Sequence, residues 1–299
     1  MLRPDLTLMK KGLLHRKIDL RSILGQNYTI KSRDDHEIGT TSGDKLFSEV
    51  YIGAIYDHYG RSWRVTGHGA GEIFVEPNSE FHHTKPTRYW QIEPTEKLET
   101  GRRWRRGSIE VRFLLGQVQV KDTLTGYREY DERTGNLVDH VAYPAASVTS
   151  YRTHACWLEV ADHDAAAGGN YIQVHSLEHG LRATVPLAIP CDPYDLAGLT
   201  KPSGSMGHPT FFLYDAVKGG IGISAAIYNN IVELLEASRG IFTECKCDKS
   251  CPRCIQLPRC PEDNESTDRS EGIKLVDLLV DIMAGQPELL NVQTLEWYK

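Results

Sequence analysis

The chain has 299 residues, 40% of them hydrophobic and 25% charged, a balance that can bury a sizeable core and excludes wholesale disorder. No run approaches the roughly 18 apolar residues needed to span a bilayer, and residues 1–17, MLRPDLTLMKKGLLHRK, have no apolar core of a secretory signal. A cytoplasmic protein with no membrane partner is expected. The net charge is −6, yet residues 1–33 hold eight Lys or Arg against two Asp, so the remainder carries −12.

A basic arm over 1–27, including Lys10 and Lys11, suits contact with nucleic acid or a partner and suits a solvated terminus equally. From 28 to 165 the pattern is extended. YIGAIY (51–56), SWRVTG (62–67) and GEIFVE (71–76) read as a β-meander, with further strands in SIEVRFL (108–114), GQVQVKDTLTGYREY (116–130) and HACWLEV (154–160). DERTGNL (131–137) reads as the hairpin turn between two of them.

Within this stretch Arg102, Arg103, Trp104, Arg105 and Arg106 set four guanidinium groups around an indole. Backbone neutralisation and base stacking on single-stranded nucleic acid have that footprint. A solvated loop at the mouth of a strand pair has it too.

Past DHDAAAGG (162–169) the period turns helical as far as Pro190. The spacing then predicts a loop over 195–209, a buried strand over 209–215 and a helix from Gly219-Gly220 to about Ser238. A last helix begins at Asp268, with Glu271 as a capping-box partner, and ends near Gly285. The fold class is therefore α+β: a β-rich, barrel- or meander-like front, then a mostly helical rear over 166–299. Gly219, Gly220 and Gly222 open a helix whose free N–H groups suit a phosphate. Close packing of strand on helix explains them better.

Five of the seven cysteines fall between 245 and 260, spaced C-x-C-x3-C-x2-C-x5-C. Four thiolates satisfy tetrahedral Zn²⁺, and the compact set is Cys245, Cys247, Cys251 and Cys254, with Cys260 as a fifth candidate. Iron–sulfur clusters use other spacings. A fully thiolate-filled zinc has no open position for water, so the expected role is structural.

The run CKCDKSCPRCIQLPRCPEDNESTDRSEGIKLVDLLV closely resembles the zinc-binding domain that ends MrfA-type superfamily 2 DNA helicases. HSLEHGLRATVPLAIPCDPYDLAG and PTFFLYDAVKGGIGISAAIY resemble the segments preceding it, and the likeness extends more softly through roughly 18–284. The resemblance implies the C-terminal accessory region of such a helicase. No G-x-x-x-x-G-K-[ST] loop or DEAH box is present, so no motor domain is read here and no ATPase activity is expected of the chain itself. A helicase motor is implied in trans or in a longer parent chain, with single-stranded or forked DNA as partner, in DNA repair or anti-phage defence.

His175-Ser-Leu-Glu178-His179 also matches H-x-x-E-H, which makes a zinc metallohydrolase the alternative from another class. A purely protein-docking subunit is a further alternative. The bland reading joins His175, Glu178, His179, Asp195 and Asp215 in a buried polar network, with Glu178 and Arg182 paired one turn apart.

Overall fold

The computed structural model describes residues 27–162 and 170–291. Lys10 and Lys11 lie outside them. Contacts divide the chain into two compact units, one drawn from 27–88 and 123–147, the other from 89–122 and 148–291. The strand-rich stretch 28–165 thus contributes to both.

The first unit holds five short strands: β1 (Asn27–Ser32), β2 (Glu37–Ser42), β3 (Ile55–His58), β4 (Arg61–His68) and β5 (Glu72–Pro77). Their order is β2-β1-β5-β4-β3, so the expected meander is β3-β4-β5, continued by β1 parallel to β5. Ile30, Val65, Ile73 and Val75 alternate onto one buried face. Residues 51–54 form turns, so only the end of YIGAIY is strand.

Three long strands follow, β6 (His82–Arg106), β7 (Ile109–Asp131) and β8 (Leu137–Asp162), the last two joined by the expected turn over 132–136. With β9 (Leu196–Lys201), β10 (Thr210–Asp215) and β11 (Glu288–Leu289) they make a sheet ordered β11-β6-β7-β8-β10-β9. In the second unit this sheet is buried on both faces. Phe211 and Leu213 of β10, with Cys156 and Leu158 of β8, join the cluster shared with the helices, whereas Phe212, Tyr214, Ala155 and Trp157 join a second cluster. The period of two sends alternate residues to opposite sides. β9 falls where a loop was expected, paired along its length with β10.

The helices are α1 (Tyr171–Ala188), α2 (Ile223–Asn229), α3 (Ile231–Glu244) and α4 (Arg269–Met283). One expected helix is two, broken at Asn230, where φ −115° and ψ 20° leave helical geometry. Asp268 caps α4 by accepting from Ser270 and Glu271 N–H. Glu271 itself does not close a box but binds Gln173 of α1 at 2.9 Å.

Glycine allows α1, α3 and α4 to approach closely around one ring. A Cβ on Gly180 of α1 would stand 2.7 Å from Phe242 of α3, and one on Gly272 of α4 would stand 2.6 Å from the other edge of that ring. Gly180→Ala is therefore expected to overpack the core and cost about 1–3 kcal/mol in chemical denaturation. A wild-type midpoint would mean that Phe242 yields freely.

Candidate metal centre and the polar residues around α1

At Cys245 the chain leaves α3 in extended geometry, φ −73° and ψ 138°, and it does not become helical again until Arg269. Cys251 and Cys254 form a knuckle: Cys254 N–H donates to Cys251 O at 3.0 Å, and Cys251 N–H donates to Cys254 Sγ at 3.3 Å. Arg269 staples the loop to both helices, giving Nη1 to Phe242 O at 2.8 Å and Nε to Cys247 O at 3.3 Å. Ser176 of α1 accepts Asp268 N–H at 2.8 Å.

These constraints bring four thiols together. The Sγ separations are 3.6 Å for Cys245–Cys247, Cys245–Cys251 and Cys247–Cys254, and 3.7 Å for Cys251–Cys254. A tetrahedron with Zn–S bonds of about 2.3 Å has edges of about 3.8 Å, so the sulfurs stand where zinc would hold them. The amide of Cys247 draws Cys245 down to about 7, while burial and the neighbouring thiols push Cys247 up to about 12. Lys246, Lys249 and Arg253 lie exposed around the loop and offset the negative charge of a tetrathiolate centre.

Cys260 does not compete for this site. Its Sγ lies 3.6 Å from His175 Nε2 and accepts Glu262 N–H.

His175, Glu178 and His179 do share one buried face of α1. Glu178 is committed, however: Oε1 takes Arg182 at 3.1 Å and Oε2 takes the Thr200 hydroxyl at 3.3 Å. Burial alone would raise its carboxyl, but the imidazole of His179, the guanidinium of Arg182 and the imidazole of His175 outweigh that and hold it below the usual range. Burial lowers the His179 imidazole and so favours its neutral form. A carboxylate sealed against a guanidinium offers no free base to polarise water, which weighs against the hydrolase reading.

The other two members of the expected network stand apart. Asp215 accepts Ile221 N–H at 2.5 Å, Gly222 N–H at 2.7 Å, and both the amide and hydroxyl of Ser224 at 2.8 and 2.6 Å. Those are the N–H groups a phosphate would need, and a buried carboxylate already fills them. Gly220, at φ +78°, is required there because a Cβ would come 2.6 Å from His154 Nδ1. Asp195 enters by its main chain, accepting Ala216 N–H at 2.8 Å.

The arginine-rich segment is the end of β6, not a loop. Trp104 is 5% exposed, packs in the helix-side core and gives its indole N–H to Gly285 O at 3.0 Å, so it is no stacking platform. Arg102 lies over the Tyr228 ring, 4.5 Å from its centroid. Arg103 grips Glu288 of β11 with two nitrogens, at 3.1 and 2.5 Å. Arg105 pairs with Glu110 at 2.8 Å and Arg106 with Asp281, and these two side chains remain 58% and 57% exposed.

The signal for three of these roles lay far away in sequence, in Tyr228, Asp281 and Glu288, while Glu110 stands only five residues from Arg105. In the first unit Glu80, His82 and Glu129 also converge, but Arg64 binds Glu129 with two nitrogens and supplies the cation there.

The profile of the MrfA Zn-binding domain family matches residues 177–255, which include all four clustered thiols. A Bacillus subtilis protein described as the ATP-dependent helicase YprA is 32% identical over 106 residues, covering 34% of this chain and 14% of that protein. The Methanocaldococcus jannaschii protein MJ1572.1 is 26% identical over 111 residues, 36% of this chain and 99% of its own length. The crystal structure of the DUF1998 helicase MrfA bound to DNA covers 90% of this chain with a TM-score of 0.61 at 22% identity. The complex with DNA and AMPPNP covers 87% with a TM-score of 0.53 at 21% identity. This chain spans 36% and 32% of those two chains. Residues 177–255 are thus an MrfA Zn-binding domain with a structural zinc site, in a chain that has the fold of an MrfA-type C-terminal region.

Proposed function

We propose that this MrfA-type region is a non-motor, zinc-stabilised module that helps an MrfA-type helicase engage DNA, with the motor supplied in trans or elsewhere in a longer chain. The observation that carries the reading is the zinc domain, with its four sulfurs at tetrahedral spacing, inside a fold shared over 90% of the chain with a helicase crystallised on DNA. Cytoplasmic DNA repair or anti-phage defence is the corresponding setting. Among the described residues no helix is long and apolar enough to cross a membrane.

With a net charge of −6, DNA contact must come from local patches. Arg105 and Arg106 are candidates because each is more than half exposed and, among the described residues, is paired with a carboxylate for which a phosphate can compete. Fluorescence anisotropy with single-stranded, forked and duplex DNA should show binding that weakens steeply with salt. Replacing both arginines by alanine should lower the affinity and reduce the salt slope by about two phosphate contacts, with the fold retained because Arg112 still pairs the buried Glu110. Absence of salt-sensitive binding to every DNA would remove the nucleic-acid role and leave docking on the motor.

A further inference from the structure

The loop that carries the four thiols carries one more, and it faces α1. Cys260 Sγ and one ring nitrogen each of His175 and His179 lie within 4.8 Å of one another. The two histidines are one helical turn apart and project from the same face.

Main-chain carbonyls orient both rings. His175 Nδ1 is 3.1 Å from Ser266 O, and His179 Nδ1 is 2.6 Å from Ile255 O. A carbonyl only accepts, so each Nδ1 carries a proton, and in the neutral imidazole this leaves the Nε2 lone pair available to a metal. His175 Nε2 points that lone pair at the Cys260 sulfur, 3.6 Å away. His179 is 0% exposed, and its Nε2 has no hydrogen-bond partner among the described residues. A buried acceptor left unpaired is unfavourable unless something fills the place in front of it.

We propose that His175 Nε2, His179 Nε2 and Cys260 Sγ form a second metal site, taking a zinc-type divalent cation. A tetrahedral zinc with bonds of about 2.3 Å to sulfur and about 2.0–2.1 Å to nitrogen sets the S···N edge at about 3.6 Å, the separation found for Cys260 and His175. A carbonyl on the remote nitrogen of each ligating imidazole is the outer-shell support that metal-bound histidine ordinarily has. The Cys260 thiolate offsets one charge of a dication, and the Glu178 carboxylate, whose Oε2 lies 3.9 Å from His175 Nε2 while its other oxygen holds Arg182, offsets part of the rest. His175 and Cys260 fall outside residues 177–255, so the zinc-binding domain match does not account for this site. Because Ile255 directly follows Cys254, the second cation would lock α1 onto the loop that holds the first.

Metal content decides it. The full chain, loaded with excess Zn²⁺ and desalted over a chelating resin, should hold two zinc ions per chain by elemental analysis. Cys260→Ser and His179→Gln should each hold one. Co²⁺ titration of the unaltered chain should saturate at two equivalents, one of them with the weaker charge-transfer absorption of a single thiolate. Saturation of the unaltered chain at one equivalent, or two ions retained in both variants, overturns the proposal. The cobalt count stands even where a variant fails to fold.

Discussion

Cys251→Ser is expected to strip zinc from the chain and unfold the helical part of the second unit. Removing one of four thiolates leaves three sulfurs at about 3.6 Å spacing with no closed tetrahedron. Structural zinc contributes about 10–16 kcal/mol of apparent binding free energy in small domains, and that energy is folding energy. The segment from Cys245 to Asp268 has no regular secondary structure and adds few core side chains of its own, chiefly Cys245, Cys254 and Ile255. When it opens, α3 and α4 lose their clasp at Arg269, and Leu234, Leu235, Leu275 and Leu279 become accessible to solvent.

The measurement is zinc content together with thermal unfolding followed by circular dichroism. A strong chelator on the wild-type chain should reproduce the variant. Acidification should do so as well, because protons compete with the metal for thiolates and zinc affinity falls as pH falls. Cys251→His, which keeps a tetrahedral Cys₃His set, should retain much of the metal. A Cys251→Ser chain with unchanged zinc and melting behaviour would show that the tetrathiolate does not hold this fold.

The zinc centre was legible because its donors are local: four ligands inside ten residues show their geometry through spacing alone. Cys260 was legible as a ligand type but not as a site. Its partner His175 lies 85 residues away, and only the packing of α1 on the loop brings them together. The same separation explains the arginine segment, where a local count finds four uncompensated cations, while the fold returns Glu288 to Arg103 across 185 residues and Asp281 to Arg106 across 175.

Among the strands, β7 and the end of β8 were visible as alternating apolar runs. β6 was not. HHTKPTRYWQIEPTEKLETGRRWRR has two prolines and a charge or hydroxyl at most positions, and it is extended because it completes a sheet, not because of its own pattern. The helices were read from apolar period and caps, which are properties of neighbouring residues. The break at Asn230 has no Gly or Pro to mark it.

Asp215→Ala should be the most damaging change outside the cysteine loop. The carboxylate is fully buried, and four donors converge on it. Oδ2 serves Ile221 and Gly222, and Oδ1 serves the amide and hydroxyl of Ser224. Alanine removes every one of those acceptors in a place closed to water, at the start of α2, where the N–H groups have no helical partner. Leaving a buried donor without its acceptor costs about 1–3 kcal/mol, and several donors are stranded at once here.

Asp215→Asn tests the charge separately. Both oxygens accept, so whichever way the amide is turned, its NH₂ faces two of the four donors and up to two contacts are lost, the Ser224 hydroxyl being able to turn and accept. A cost between wild type and alanine is expected, read as a shift of the denaturation midpoint at constant slope.

The same variants decide what the glycine turn at 219–222 does. If Asp215 is the resident anion of that turn, inorganic phosphate should leave the wild-type melting temperature unchanged. Asp215→Ala, with the donors exposed, should then be partly rescued by phosphate. Phosphate stabilising the wild-type chain at this turn, with Asp215→Ala near-neutral in stability, would mean that the carboxylate yields its place to a ligand and that the turn is a binding loop after all.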